Sequence, residues 1–177
     1  GKKFQGVVDH YLFVGNPGTG KTTVARIMGN IFYSLGVLPS NRLLEVTRKD
    51  LVEGYVGQTA KKTARVVKRA VGGVLFIDEA YSLMGDNFGQ EATNTILPMM
   101  LDYKGKMVCI AAGYPREIRQ WIDTNSGLES RFTKVIHFED YNPDELAQIF
   151  MMKAKKDKLT LTPEAENAMH AYFEELY

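Results

Sequence analysis

The sequence predicts an α/β fold: a doubly wound, parallel, five-stranded sheet followed by the start of a helical region. Three observations predict it. Short apolar runs alternate with stretches of helical periodicity, the pattern of strand–helix–strand units in a parallel sheet. Two runs, 74–77 and 107–112, are apolar at every position, as strands covered on both faces are. Gly15-Asn16-Pro17-Gly18-Thr19-Gly20-Lys21-Thr22 lies where the first run, Tyr11-Leu12-Phe13-Val14, gives way to the first helical pattern.

Each element follows from local chemistry. A helix starts at Lys21, with Val24, Ile27, Met28, Ile31 and Leu35 on one face. Gly36 is placed to cap its end, and Pro39 follows. Leu43-Leu44-Glu45-Val46 reads as a short strand and 47–52 as a turn or a single helical turn. Residues 60–70 read as a helix whose inner face is Thr63, Val66, Val67 and Ala70. Its outer face carries Lys61, Lys62, Arg65, Lys68 and Arg69. Gly72-Gly73 breaks it before the strand Val74-Leu75-Phe76-Ile77, which ends in Asp78-Glu79. Residues 81–89 read as a glycine-punctuated loop, and a helix is expected from about Gln90 to Leu101, kinked or ended by Pro98. A strand over 107–112 closes at Gly113-Tyr114-Pro115. A short helix carries Ile118, Trp121 and Ile122. A polar loop over 123–127 leads to Leu128-Glu129-Ser130-Arg131-Phe132, and Lys134 to Phe138 is the last strand.

Beyond residue 140 the pattern becomes helical. Asn142-Pro143-Asp144-Glu145 is a helix start, with a cap, a proline at the first helical position and a Glu at the third. Thr162-Pro163-Glu164 starts another. The expected organisation is therefore an α/β domain over 1–139 and the first helices of a second, truncated domain over 140–177. The chain reads as a fragment: Gly1-Lys2-Lys3 leads almost directly into the first strand, and Tyr177 falls inside an unfinished helical pattern.

Composition narrows the function classes. The 177 residues are 45% hydrophobic with a net charge of +1, so no whole-chain electrostatic argument favours nucleic acid or a membrane surface. The single cysteine, Cys109, lies in an apolar run and reads as a buried thiol. No disulfide framework can form within the chain, which suits a reducing, cytoplasmic setting. No signal peptide and no apolar run of about 18 residues is present. The histidines at 10, 137 and 170 are scattered and read as structural, with no zinc site.

The chemistry concentrates at three strand ends. Residues 15–22 fit the phosphate-loop pattern, Gly, any four residues, then Gly-Lys-Ser/Thr. Glycines let the backbone curl so that its N–H groups converge on an anion, and the following helix adds the positive end of its dipole. Asn16, Pro17, Gly18, Thr19, Gly20, Lys21, Thr22 and Thr23 are thus candidate nucleotide contacts, with Lys21 on the β- and γ-phosphates and Thr22 on Mg²⁺. Asp78, after an apolar strand, is the second candidate Mg²⁺ ligand, and Glu79 is placed to orient or deprotonate an attacking water. In a parallel sheet, Gly15, Asp78 and Tyr114 share one rim, where ligands bind. Arg131 is the candidate for positive charge supplied by a neighbouring subunit, against the alternative of a surface arginine. Arg116 and Arg119 are lesser candidates.

These stretches resemble an AAA+ ATPase. More narrowly, they are similar to the clade of red-type Rubisco activase, stage V sporulation protein K and the type VII secretion ATPases. The resemblance rests on residues 14–26, 51–57, 72–81, 89–92, 112–115 and 130–132, which occur in the family's order along nearly the whole chain. It implies an ATP-hydrolysing ring oligomer, usually a hexamer, with ATP and Mg²⁺ at subunit interfaces and Arg131 as arginine finger. It also implies that Tyr55, Val56 and Gly57 form a central-pore loop gripping a protein substrate; packing of Tyr55 in the core is the alternative.

The sequence departs from the family's pattern in three places. Tyr114 stands where many members carry a polar Asn or Thr that senses the γ-phosphate. The arginine that the family carries late in its helical lid has no counterpart in the chain. Pro98 interrupts a helix the family usually continues. The resulting expectation is an ATP-driven motor that remodels or threads a protein substrate. A nucleic-acid-associated ATPase using the basic face at 61–69, or a nucleotide-dependent assembly scaffold, are the competing classes.

Overall fold

The computed structural model describes residues 9–55 and 57–138, together with Gln148. Five strands form one sheet: β1 (Tyr11–Gly15), β2 (Leu43–Val46), β3 (Val74–Ile77), β4 (Val108–Gly113) and β5 (Lys134–Phe138). Their order is β2-β3-β4-β1-β5, and every pairing is parallel. Among residues 9–138 the described α-helices are α1 (Lys21–Ser34), α2 (Arg48–Leu51), α3 (Gln58–Ala70), α4 (Asn87–Asp102), α5 (Pro115–Asp123) and α6 (Ser126–Arg131). A 3₁₀ turn spans Ala80–Leu83. The helical starts expected at residues 142 and 162 lie outside the described residues.

Two apolar layers sandwich the sheet, and strand alternation decides which side chain joins which. Tyr11 and Phe13 of β1, Val74 and Phe76 of β3, and Val108, Ile110 and Ala112 of β4 pack with α1 on one face. Their neighbours Leu12, Val14, Leu75, Ile77, Cys109 and Ala111 point the other way, into the layer formed with α3, α4, α5 and α6. Side chains alternate across a strand, so a continuously apolar sequence feeds both layers at once. At about 25 cal/mol per Å² of buried apolar surface, this two-sided burial is the main source of stability for the fold.

The observed boundaries correct several expectations. Residues 81–89 are not simply a loop: Ala80–Leu83 is helical, and α4 begins at Asn87 rather than Gln90. Asp86 is the cap that moves the start forward, its Oδ1 accepting the Gly89 N–H at 2.7 Å. Residues 123–127 are not all polar loop either, because the Asn125 side chain accepts the Gly127 N–H at 2.8 Å and starts α6. Pro98 does not end its helix, which continues to Asp102. There Arg131 reaches across from α6, its Nε donating to the Leu97 carbonyl at 2.9 Å.

Beneath β1 and β4, His10 is only 7% exposed. Its Nδ1 accepts the backbone N–H of Cys109 at 2.9 Å, so the imidazole serves the fold as a neutral acceptor. Burial, then the charges of Lys104 and Arg131, lower its pKa from the ordinary 6.5 to about 4. Because the folded chain resists this protonation and the unfolded chain does not, the stability contributed by neutral His10 is complete above pH 6.5 and declines as pH falls towards 4. At about 1.4 kcal/mol per pH unit, the loss reaches roughly 3 kcal/mol. His10→Asn, which keeps an acceptor but cannot titrate, is expected to lose less thermal stability than the unchanged chain between pH 7 and 4.5. Equal losses in parallel melts would remove His10 from the account.

Candidate functional site

The loop 16–20 links β1 to α1 across the carboxyl rim of the sheet, and its conformation is set by glycine. Gly20, the residue preceding α1, sits at φ 87° in the left-handed region that other residues adopt at a cost. Gly15 is required for a different reason: a Cβ there would stand 2.4 Å from the Phe138 carbonyl oxygen of β5. The first turn of α1 has no capping side chain and no acidic residue. Its N–H groups and dipole therefore present an uncompensated positive end, the arrangement that binds phosphate.

The Lys21 ammonium folds back on the loop. Its Nζ donates to the carbonyls of Gly15 at 2.7 Å and Asn16 at 2.9 Å. Thr19 Oγ1 donates to the same Asn16 carbonyl at 2.7 Å. Burial lowers the pKa of Lys21, and the negative charge of Asp78 works against that. The two residues therefore feel each other across the site although β4 separates their strands.

A cavity of about 310 Å³ brings these groups together. Gly15, Pro17, Gly18, Gly20, Lys21, Thr22 and Thr23 form one wall; Asp78, Glu79, Tyr81, Gly113 and Tyr114 form the other. Asp78 is anchored at its strand end by its N–H, which donates to the Val46 carbonyl at 2.8 Å. Its Oδ1 accepts the Glu79 N–H at 2.9 Å. Glu79 has φ 50°, alone among the described non-glycine residues in being positive. That backbone costs about 1–2 kcal/mol, and such strain clusters at functional positions. The turn is held by the Asp78 carboxylate on one side and by the Ser82 N–H, donated to the Glu79 carbonyl at 2.9 Å, on the other.

Three features of the site are not evident in the sequence. Tyr81 is returned to the cavity by the 3₁₀ turn, its ring 6.4 Å from that of Tyr114. Burial and then the charge of Glu79 raise its pKa, so the phenol stays protonated and able to donate. Glu45, the exposed residue of β2, has Oε1 3.5 Å from Thr22 Oγ1, placing a third carboxylate at the edge of the site. The left-handed Glu79 is the third. Only the position of Tyr81, two residues after Glu79 in a helical register, could have signalled the first of these.

Other candidates lie elsewhere. Arg131 precedes β5 and so stands at the amino end of the sheet. Lys134 pairs with Tyr11 there, whereas Phe138 pairs with Gly15 at the carboxyl rim. A five-residue strand, about 16 Å long, separates it from its own phosphate loop. Its Nε and Nη1 donate to the Leu97 and Gly127 carbonyls, and it borders a second cavity with Asp9, His10, Lys104 and Ser130. Arg119 pairs with Asp123 on the surface of α5 at 3.4 Å. Tyr55 is 74% exposed, which removes the core-packing alternative for it. Gly57 sits at φ 79° as the cap of α3, and Val56 lies outside the described residues. No cluster of three or more metal-ligating side chains occurs among the described residues.

With this geometry in place, comparison with known proteins is decisive. The sequence model of the "ATPase family associated with various cellular activities (AAA)" matches residues 11–140. The chain belongs to this family. An AAA lid domain matches residues 142–177. ESX-1 secretion system protein EccA1 of Mycobacterium tuberculosis is 47% identical over 169 residues, covering 92% of this chain and 30% of that protein. Stage V sporulation protein K of Bacillus subtilis is 44% identical over 166 residues, 92% of the chain and 52% of the relative. The chloroplastic ribulose bisphosphate carboxylase/oxygenase activase of Cyanidioschyzon merolae is 44% identical over 169 residues, 93% and 58% respectively. The chain thus spans between about a third and three fifths of the length of these relatives.

Replacing Lys21 tests the phosphate wall. Lys21→Ala is expected to weaken binding of a fluorescent ATP analogue at least about a hundredfold, or about 2.7 kcal/mol, measured by anisotropy. An affinity within about threefold of the unchanged AAA domain would contradict the assignment.

Proposed function

We propose that this AAA domain is the engine of an ATP-driven motor that remodels or threads a protein substrate as a homo-oligomeric ring, a hexamer in the full protein, working in the cytoplasm. The observation that carries the reading is the convergence of an uncapped helix start, Lys21, Asp78 and Glu79 on one cavity. On this reading ATP lies with its triphosphate along the loop. Lys21 leaves the Gly15 and Asn16 carbonyls for the β- and γ-phosphate oxygens, and the N–H groups at the start of α1 hold the rest. Thr22 Oγ1 and Asp78 are two oxygen donors on one cavity, a set that suits Mg²⁺; bound there, it neutralises charge on the phosphate oxygens.

Glu79 accepts a proton from the attacking water as its oxygen bonds to the γ-phosphorus. The bond from that phosphorus to the β–γ bridging oxygen breaks, and ADP and phosphate leave. Tyr81 and Tyr114, at the same wall, donate hydrogen bonds to the water or to γ-phosphate oxygens. Positioning and charge stabilisation supply most of the rate in such reactions. The cation missing on the far side of the phosphate comes from Arg131 of the adjacent subunit. Its place at the amino end of the sheet supports action in trans, since it cannot reach its own loop.

The exposed Tyr55 supplies the mechanical end. An aromatic ring on a loop between Gly54 and Gly57 grips varied side chains through apolar contact and releases them as the loop moves. Relatives named for secretion, sporulation and Rubisco activation support work on protein substrates. One observation favours a second reading, association with nucleic acid. α3 carries no acidic residue, and Lys61, Arg65, Lys68 and Arg69 are exposed along it. DNA binding that weakens steeply with salt would favour that reading.

Two substitutions test the motor. Glu79→Gln is expected to keep ATP affinity while turnover falls at least about a hundredfold, leaving ATP trapped on the protein; ordinary turnover would remove Glu79 as base. Tyr55→Ala is expected to abolish stimulation of ATP turnover by an unfolded polypeptide such as reduced casein. Undiminished stimulation would contradict the pore role.

A further inference from the structure

We propose that Arg48 is a positioning residue that transmits the state of the nucleotide site to the loop carrying Tyr55. The inference rests on the motor reading and deepens it by naming the mechanical link. The guanidinium makes two charge-assisted bonds to the segment that follows Glu79. Nη1 donates to the Ser82 carbonyl at 2.7 Å, and Nη2 donates to Asp86 Oδ2 at 2.5 Å. Ser82 in turn donates its N–H to the Glu79 carbonyl at 2.9 Å. One residue therefore lies between the strained Glu79 and Arg48. The other oxygen of Asp86 caps α4 through Gly89, so Arg48 grips the 3₁₀ turn and the start of α4 together.

On its other side, Arg48 belongs to a rigid arm. Lys62 Nζ donates to the carbonyls of Lys49 at 2.8 Å and Val52 at 3.1 Å, and pairs with the Glu53 carboxylate at 3.1 Å. Thr63 Oγ1 donates to the Leu51 carbonyl at 2.8 Å. Thr59 Oγ1 donates to the Glu53 carbonyl at 3.1 Å and accepts the Glu53 N–H at 3.0 Å. These bonds staple residues 49–53 along α3 and close the neck of the Tyr55 loop. The loop therefore moves with the arm rather than independently of it.

The arm meets α4 through apolar packing and through the Ala60 N–H, which donates to Glu91 Oε1 at 3.3 Å. Apolar surfaces tolerate sliding. Among the described residues, no side chain from Thr47 to Ala70 other than Arg48 hydrogen-bonds to the 3₁₀ turn. The Arg48–Asp86 pair is partly exposed, with side-chain exposures of 30% and 44%. Exposed pairs of this kind contribute little to stability. The value of Arg48 is therefore directional: two bonds from a planar fork fix where the arm sits relative to Glu79.

The test uses the single-cysteine composition. Cys109 is fully buried, so Tyr55→Cys in the full chain provides one exposed thiol for an environment-sensitive fluorophore. Iodide quenching is compared with Mg²⁺ and either ATPγS or ADP bound. The labelled parent is expected to differ between the two states by about twofold or more. Adding Arg48→Ala is expected to erase the difference while nucleotide affinity stays within about twofold. Arg48→Lys, which reaches only one acceptor, is expected to retain part of it and guards against a folding defect in the alanine variant. A full difference persisting in Arg48→Ala overturns the proposal and leaves the motor reading intact. No difference in the labelled parent overturns the motor reading, and this inference with it.

Discussion

The structure depends on one constraint, the parallel pairing of β1 between β4 and β5. Parallel strands deliver all their carboxyl ends to one rim, so the residues that follow β1, β3 and β4 meet without any long-range side-chain bond to draw them together. Gly15 shows how tight that constraint is. It has no room for a Cβ beside Phe138, and the loop that follows must curl immediately over the rim. Lys21, Asp78, Glu79 and Tyr114 then face one cavity because strand register, not local attraction, puts them there.

The same constraint separates the other candidate residues. Arg131 stands at the opposite end of β5, a strand length from its own phosphate loop, and on the proposed reading serves a neighbour's nucleotide. Tyr55 stands on an arm that leaves the sheet after β2, an edge strand. On the proposed reading, holding phosphate, supplying charge in trans and gripping substrate fall to three separate regions of one small domain. Work requires that they be coupled. The left-handed Glu79, the 3₁₀ turn after it and the guanidinium of Arg48 form a short polar chain from the first region towards the third.

Much of this was legible in the sequence. Apolar runs that contribute to both layers revealed the parallel sheet. The spacing of Gly15, Gly20, Lys21 and Thr22, and the pair Asp78-Glu79 at a strand end, pointed to residues that line one cavity. These signals are local: a spacing, a period, a strand terminus. What stayed hidden depends on conformation. A positive φ at Glu79 leaves no mark in a Glu codon, and it decides that Tyr81 turns back into the cavity. Asp86 reads as one more polar residue in a glycine-rich stretch until its carboxylate is seen capping α4, three residues ahead of the expected start. Asn125 likewise starts α6 inside what reads as polar loop. Pro98 signals a helix end, yet packing in the second apolar layer carries α4 past it. The Arg131 bonds to Leu97 and Gly127 depend on two elements distant in sequence, and no periodicity predicts them.

The account's central claim is geometric: a triphosphate lies along the curled loop after β1, and its metal sits between Thr22 and Asp78. The most direct test is a crystal structure of the domain with a non-hydrolysable ATP analogue and Mn²⁺, locating the metal by anomalous scattering. The account predicts a single strong peak within coordination distance, about 2–2.5 Å, of Thr22 Oγ1, with Asp78 as a direct or water-bridged partner and Lys21 Nζ moved onto the phosphates. A peak away from the Thr22–Asp78 wall, or a triphosphate bound outside the loop with Lys21 still folded on Gly15 and Asn16, would contradict it.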